Sequence, residues 1–235
     1  MQSIDQLRSA LESSGLNVWG VADGRAYTPW LEGCRSVVVV GNGGRQLWER
    51  YEDHVNAHPQ VLRSDPHPFD SFVRASLVEA GVRSDGPRRW VLCASNVPTR
   101  LDFRTLAKDA GLGHPSRLGL LLHPEFGPWF GLRAACFTTE VIPPTPLTPA
   151  PGPCDGCPAP CATSCRGGVF GPDLNVGLCL QQRARDTHCA QLCDSRAACP
   201  SGAAHAYGEA QHRYHSAPVA SRKAWAERLF GVTKP

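Results

Sequence analysis

The chain has 235 residues, 42% of them hydrophobic, and a formal net charge of +3. That length suits one large domain or a medium domain with a small one, and that hydrophobic content excludes a disordered chain. The charge is too small to mark a nucleic-acid or membrane-surface protein. The longest apolar runs, Val37 to Val40 and Leu118 to Leu122, are far too short to span a bilayer.

The N-terminus reads MQSIDQLRSAL, with no basic stretch ahead of an apolar one, so no signal peptide is expected and the location is read as cytoplasmic. Ile4, Leu7 and Leu11 recur at helical spacing, with Gly15 as a stop. Val18 to Val21 is a short strand. Ser36 to Val40, SVVVV, is a β-branched run that reads as a buried strand. Gly41-Asn42-Gly43-Gly44 follows it; the run lacks GxGxxG spacing and reads as a strand-to-helix turn, with a phosphate cradle as the alternative. Arg45 to His58 reads as a helix. Phe69, Phe72, Val73 and Leu77 form a second helical stripe, stopped by Gly81. Trp90 to Cys93 is a strand and Asp102 to Ala110 a helix. Leu118 to Leu122 and Leu132 to Val141 are two more strands, joined by the turn-rich HPEFGP. Pro143 to Pro153, PPTPLTPAPGP, excludes helix and central strand and reads as an extended linker. The chain closes on a helix expected over Val219 to Phe230. These elements predict an α+β fold: an N-terminal α/β sandwich over residues 1–142, a linker over 143–153, and a small unit over 154–235.

Eleven cysteines are many for a reducing compartment, and their distribution decides between disulfides and metal. Cys34, Cys93 and Cys136 lie in or beside strand patterns and read as buried thiols. The other eight are Cys154, Cys157, Cys161, Cys165, Cys179, Cys189, Cys193 and Cys199, the last followed by Pro200. Without an export signal, that crowding favours metal. A cubane needs thiolates from several directions, so the fourth cysteine of each run in two-cluster ferredoxins crosses to the other cluster. On that logic Cys154, Cys157, Cys161 and Cys199 are assigned to one [4Fe–4S] cluster, and Cys165, Cys179, Cys189 and Cys193 to a second. The gaps depart from C-x2-C-x2-C-x3-C-P, being longer between Cys157 and Cys161, with Arg166 in place of proline. The rival reading is zinc held by thiolates, although four cysteines between Cys154 and Cys165 do not match paired zinc knuckles. A unit this small has too little core to fold alone, so bound metal is expected to hold it. His205, His212 and His215 after the last cysteine read as surface histidines, with metal ligation as the alternative. Tyr207 and Tyr214 read as covers for a cluster.

GLNVWGVAD (Gly15 to Asp23), CRSVVVVG (Cys34 to Gly41), AGLG (Ala110 to Gly113), LGLLLHPEFGPWFGLRAACFTT (Leu118 to Thr139) and the eight cysteines, in this order along most of the chain, resemble epoxyqueuosine reductases. Corrinoid-dependent reductive dehalogenases are more distant relatives. The resemblance implies a cobalamin-binding α/β domain joined to a ferredoxin-like two-cluster domain, with electrons passed from cluster to cobalt. It puts Gly111, Leu112, Gly113 and Arg117 where the family's loop approaches the corrin. It further implies cobalamin as a second cofactor, a redox partner protein as electron donor, and a small-molecule or modified-nucleoside substrate. No membrane and no nucleic acid are expected as partners. The loop departs from the family's GLGWIGKN, reading GLGHPSRL, and Asn96 or Val97 falls where family reductases carry a proton-donating aspartate. No residue is assigned as catalytic. The expectation is an iron–sulfur oxidoreductase; the alternatives are a ferredoxin-like electron carrier without its own catalytic site and a zinc-stabilised interaction module.

Overall fold

Ser3 starts the first helix with a capping box: its hydroxyl accepts from the Gln6 amide while its own amide donates to the Gln6 side chain. In a computed structural model that describes residues 3–83, 86–93, 101–147, 150–171 and 174–217, this helix is α1, Ile4–Ser13. Asn96, Val97 and the expected helix Val219 to Phe230 lie outside the described residues. Strand β1 (Val18–Asp23) and a 3₁₀ turn (Gly24–Tyr27) lead to β2 (Ser36–Gly43). Helices α2 (Gln46–Ala57), α3 (Val61–Ser64) and α4 (Pro68–Glu79) follow. Next come β3 (Arg88–Leu92), α5 (Phe103–Asp109), the short pair β4 (His114–Pro115) and β5 (Leu121–Leu122), and β6 (Phe130–Thr138). The four long strands make one sheet in the order β1-β2-β6-β3, each antiparallel to its neighbours.

Every residue of β2 is buried, which explains why SVVVV shows no polar alternation. Val38 and Val40 face one core with Leu7, Leu47, Tyr51 and Leu77 from α1, α2 and α4. Val37 and Val39 face the other, with Phe103, Leu106 and Phe137. Helices therefore cover both faces of the sheet, the α+β layering expected from the sequence. β2 runs on through Gly41–Gly43 instead of turning after Val40. A Cβ on Gly41 would lie 2.5 Å from the Gly131 carbonyl, and one on Gly43 would lie 2.2 Å from the Phe126 ring. The glycines thus serve close packing inside the strand, and the turn falls at Gly44, whose φ is +67°.

Of the strand expected over Leu118 to Leu122, only Leu121 and Leu122 pair. Ser116 donates its amide to the Leu120 carbonyl at 3.0 Å and Gly119 takes φ +68°, so a turn consumes the first half. The proline-rich segment is tied to the sheet's β1 edge. Thr145 donates its amide to the Val21 carbonyl and accepts from the Val21 amide, both at 2.9 Å, while the Ile142 amide donates to Ser36 Oγ. This covers edge groups that would otherwise template aggregation.

Phe137 is fully buried, stacks on Trp30 at 5.5 Å and sits beside Tyr27. Phe137→Ala is expected to cost about 3–5 kcal/mol, read as a lower denaturant midpoint with an unchanged slope; a cost below about 1 kcal/mol would show that this side of the sheet is loosely packed.

Candidate metal centre

The cysteine-rich stretch is built from short helices, each positioned locally. Cys154 and Cys157 flank a turn in which Asp155 accepts from the Gly152 amide at 2.6 Å. Ala159 takes φ +54°, and Pro160 then opens α6 (Pro160–Thr163), which carries the buried Cys161. Asn175 caps α7 (Val176–Arg185), the helix bearing Cys179. Asp186 caps α8 (Thr187–Gln191) by accepting from the Cys189 amide at 3.1 Å. Cys193 precedes α9 (Asp194–Ala197), and Cys199 follows it. The chain then returns to the sandwich through α10 (Glu209–Ser216), whose Tyr214 packs among Trp48, Tyr51 and Phe69. Tyr214 therefore belongs to the α/β core, and Tyr207 packs edge-on against Trp129.

The eight sulfurs divide between two cavities. Cys154, Cys157, Cys161 and Cys199 line one of about 290 Å³, walled by Arg117, Leu118 and Leu122 from the sandwich. Cys165, Cys179, Cys189 and Cys193 line one of about 70 Å³, with Val169, Phe170 and Leu192. Leu118 borders both. An open cleft of about 390 Å³ reaches the first cavity's Cys154 past Arg117 and Phe170. Among the described residues, no three or more His, Cys, Asp or Glu side chains meet closely enough to hold one metal ion.

Burial pushes the thiols of Cys161, Cys179, Cys189 and Cys199 above their usual range, and neighbouring thiols add to the effect in each case. Cys165 goes the other way. Burial pushes it up, but the nearby amides of Val169, Gly167 and Gly168 and the Ser195 hydroxyl favour its charged form and together hold it below the usual range. Around the second cavity, Asp194 accepts from Arg166 Nε at 2.9 Å and sits 2.8 Å from His188 Nε2. The three cysteines outside this region, Cys34, Cys93 and Cys136, all have thiols raised by burial, Cys136 to about 12.

The loop residues implied by the resemblance divide. Gly111 turns at φ +71°, where a Cβ would lie 2.5 Å from the Pro146 carbonyl; one on Gly113 would lie 2.4 Å from that of Leu122. Leu112 is buried over Gly20 of β1. The closest neighbours at these glycines are thus the protein's own backbone carbonyls. Arg117, by contrast, is exposed and borders the first cavity and the open cleft.

The three histidines also have particular places. His205 packs edge-on against Phe126 and lies 3.8 Å from Glu125. His215 lies edge-on to Phe69. His212 accepts the Cys193 amide on Nε2 at 3.2 Å, a role no sequence motif announced. Asp102 caps α5, and Asp109 accepts from the Tyr27 hydroxyl at 2.9 Å.

No family model and no curated protein sequence matches this chain. Solved structures do. A B12-trafficking protein from C. elegans, CblC, a homologue of human MMACHC, superposes with a TM-score of 0.63 at 14% identity, covering 98% of this chain and 97% of that one. An epoxyqueuosine reductase with an epoxyqueuosine-modified tRNA stem loop gives 0.52 at 14% identity, covering 97% and 75%. Epoxyqueuosine reductase from Bacillus subtilis gives 0.51 at 13% identity, covering 96% and 81%. At such identities the likeness establishes the fold: this chain has the α+β fold shared by the B12-trafficking protein and the epoxyqueuosine reductases. No helix among the described residues is long and apolar enough to cross a membrane.

His123, in the segment HPEFGP, holds its turn by accepting the Glu125 and Phe126 amides on Nδ1 at 3.2 and 3.3 Å. Burial, with the His205 imidazole adding, pushes it from 6.5 down to about 4. The unfolded chain therefore takes up this proton first as pH falls. The stability held by neutral His123 is complete above 6.5 and is lost as pH drops from 6.5 toward 4. Asn offers an acceptor near the Nδ1 position and does not titrate. His123→Asn is expected to flatten this part of the stability–pH curve in urea titrations; an unchanged slope would assign the acid loss to other groups.

Proposed function

We propose that the chain is an iron–sulfur oxidoreductase holding two [4Fe–4S] clusters, one on Cys154, Cys157, Cys161 and Cys199, the other on Cys165, Cys179, Cys189 and Cys193. The observation that carries this reading is the four-and-four grouping of thiols about two cavities. A single zinc ion draws its sulfurs to about 2.3 Å from one point, whereas a polynuclear core holds them spread around its own volume. Thiols raised by burial and by one another's charge, such as Cys161 and Cys199, are also a donor set that a cationic core relieves.

Bound clusters would supply one-electron transfer. The chain's own residues would do the rest. Leu118 separates the two centres and, with Val169 and Leu192, keeps apolar surface around them. The amides at residues 167–169 and the Ser195 hydroxyl stabilise negative charge on the Cys165 sulfur. Arg117 and Phe170 border the open cleft beside Cys154, the side from which an electron acceptor reaches the first centre. Electrons would arrive from a redox partner protein and leave to a cofactor or small substrate against the sandwich. A corrinoid bound against the sandwich would supply the substrate chemistry. The close packing of Gly111 and Gly113 on the Pro146 and Leu122 carbonyls favours a second reading, an electron carrier that shares the scaffold without a reductase site.

Anaerobic purification with iron and sulfide assays tests the proposal. About eight irons and eight acid-labile sulfides per chain are expected, two cubanes of four. Cys161→Ser is expected to remove about half of each and Cys189→Ser the other half, with the double variant losing nearly all. Zinc without sulfide would overturn the reading. A titration with cob(II)alamin that leaves the corrin spectrum unchanged would favour the carrier; a perturbed spectrum would favour a reductase.

A further inference from the structure

This inference rests on the two-cluster reading. Two cysteines of the second group are treated differently by their surroundings. Around the sulfur of Cys165, the amides of residues 167–169 and the Ser195 hydroxyl favour the charged form. The amide of Cys193, by contrast, donates to His212 Nε2 at 3.2 Å. His212 is 5% exposed and stands edge-on to Trp129, with ring centres 5.4 Å apart and planes at 86°. Its helix, α10, is fixed on both sides: Tyr214 lies in the sandwich core, and Gln211 Nε2 donates to the Gly44 carbonyl at 3.1 Å. The acceptor on Cys193 is thus anchored to the sandwich and does not travel with the cysteine loop.

We propose that His212 is a positioning residue of the second centre, withholding the Cys193 amide from the cluster sulfurs and so keeping that centre's reduction potential lower than it would otherwise be. Hydrogen bonds to cluster and cysteinyl sulfurs stabilise the more negative, reduced state, and their number is one determinant of potential. An amide released from His212 is free to donate to a sulfur of the centre. The same bond ties Cys193 to the face of Trp129, making His212 the polar contact through which the sandwich sets the geometry of this cysteine.

The test compares the full chain, anaerobically reconstituted, as wild type, His212→Gln and His212→Asn. Gln extends an acceptor to about the place of Nε2; Asn is one methylene too short. All three are expected to carry the same iron and sulfide. An EPR-monitored redox titration of the wild type should show two transitions. His212→Asn should move one midpoint upward, with an altered reduced-state EPR signal, and leave the other in place. His212→Gln should keep both near wild type. His212→Ala serves the same comparison should the Asn variant fail to fold. The inference is overturned if the non-accepting variant leaves both midpoints unchanged, moves one downward or moves both alike, or if Gln shifts as far as Asn. A wild type without acid-labile sulfide overturns the two-cluster reading itself, and this inference with it.

Discussion

Four of the thiols set around the two small cavities, Cys161, Cys179, Cys189 and Cys199, resist ionising, because burial strips them of water and neighbouring thiolates repel their charge. This constraint governs the C-terminal third of the chain. Helices α6 to α9 among the described residues are four to ten residues long, too short to be stable in isolation. Left as free thiols, the two groups offer little cohesion. Joined to iron and sulfide cores, each would become a covalent node tying together segments far apart in sequence, Cys154 with Cys199 and Cys165 with Cys193.

The sandwich supplies what such nodes need from outside. Leu118 and Arg117 bring the turn before β5 against the cysteine cavities. Arg196 of α9 lays its guanidinium over Trp129 and Tyr207, each at 4.8 Å, and donates to the Pro128 carbonyl. Arg45 donates to the Ala206 carbonyl at 2.7 Å, and α10 sends Tyr214 into the main core. The cysteine-rich stretch is therefore stitched to the sheet both before its first cysteine, through Thr145 on β1, and after its last. That rigidity matters for electron transfer, since a centre whose surroundings do not relax costs less to oxidise and reduce.

Much of the sandwich was legible in the sequence. Helical stripes mark α1 and α4, because each buries one face against the sheet, and the helices expected over Arg45 to His58 and Asp102 to Ala110 match α2 and α5 to within a residue or two. Ser36 to Val40 was read as buried for the right reason, burial on both faces. The continuation of β2 through Asn42 was not legible, since the need for glycine there comes from Gly131 and Phe126, distant in sequence. Leu118 to Leu122 misled because the apolar residues serve a cavity wall and a two-residue strand instead of one continuous ladder. At the candidate site, the division of the eight cysteines proposed from spacing is the division found around the two cavities, although ligation itself stays a proposal. The role of His212 left no local signal: its partner is a backbone amide nineteen positions away, and nothing in AAHAYGEAQHRYH marks one histidine from the others.

Hydrogen–deuterium exchange on the protein with and without reconstituted iron and sulfide tests the central claim most directly. Amides of α6 to α9 are expected to exchange rapidly in the metal-free chain and to become strongly protected on reconstitution, while those of β2 and β6 stay protected in both. Equal protection of residues 154–199 without any metal would contradict the account, because the stretch would then be held by something other than its sulfurs.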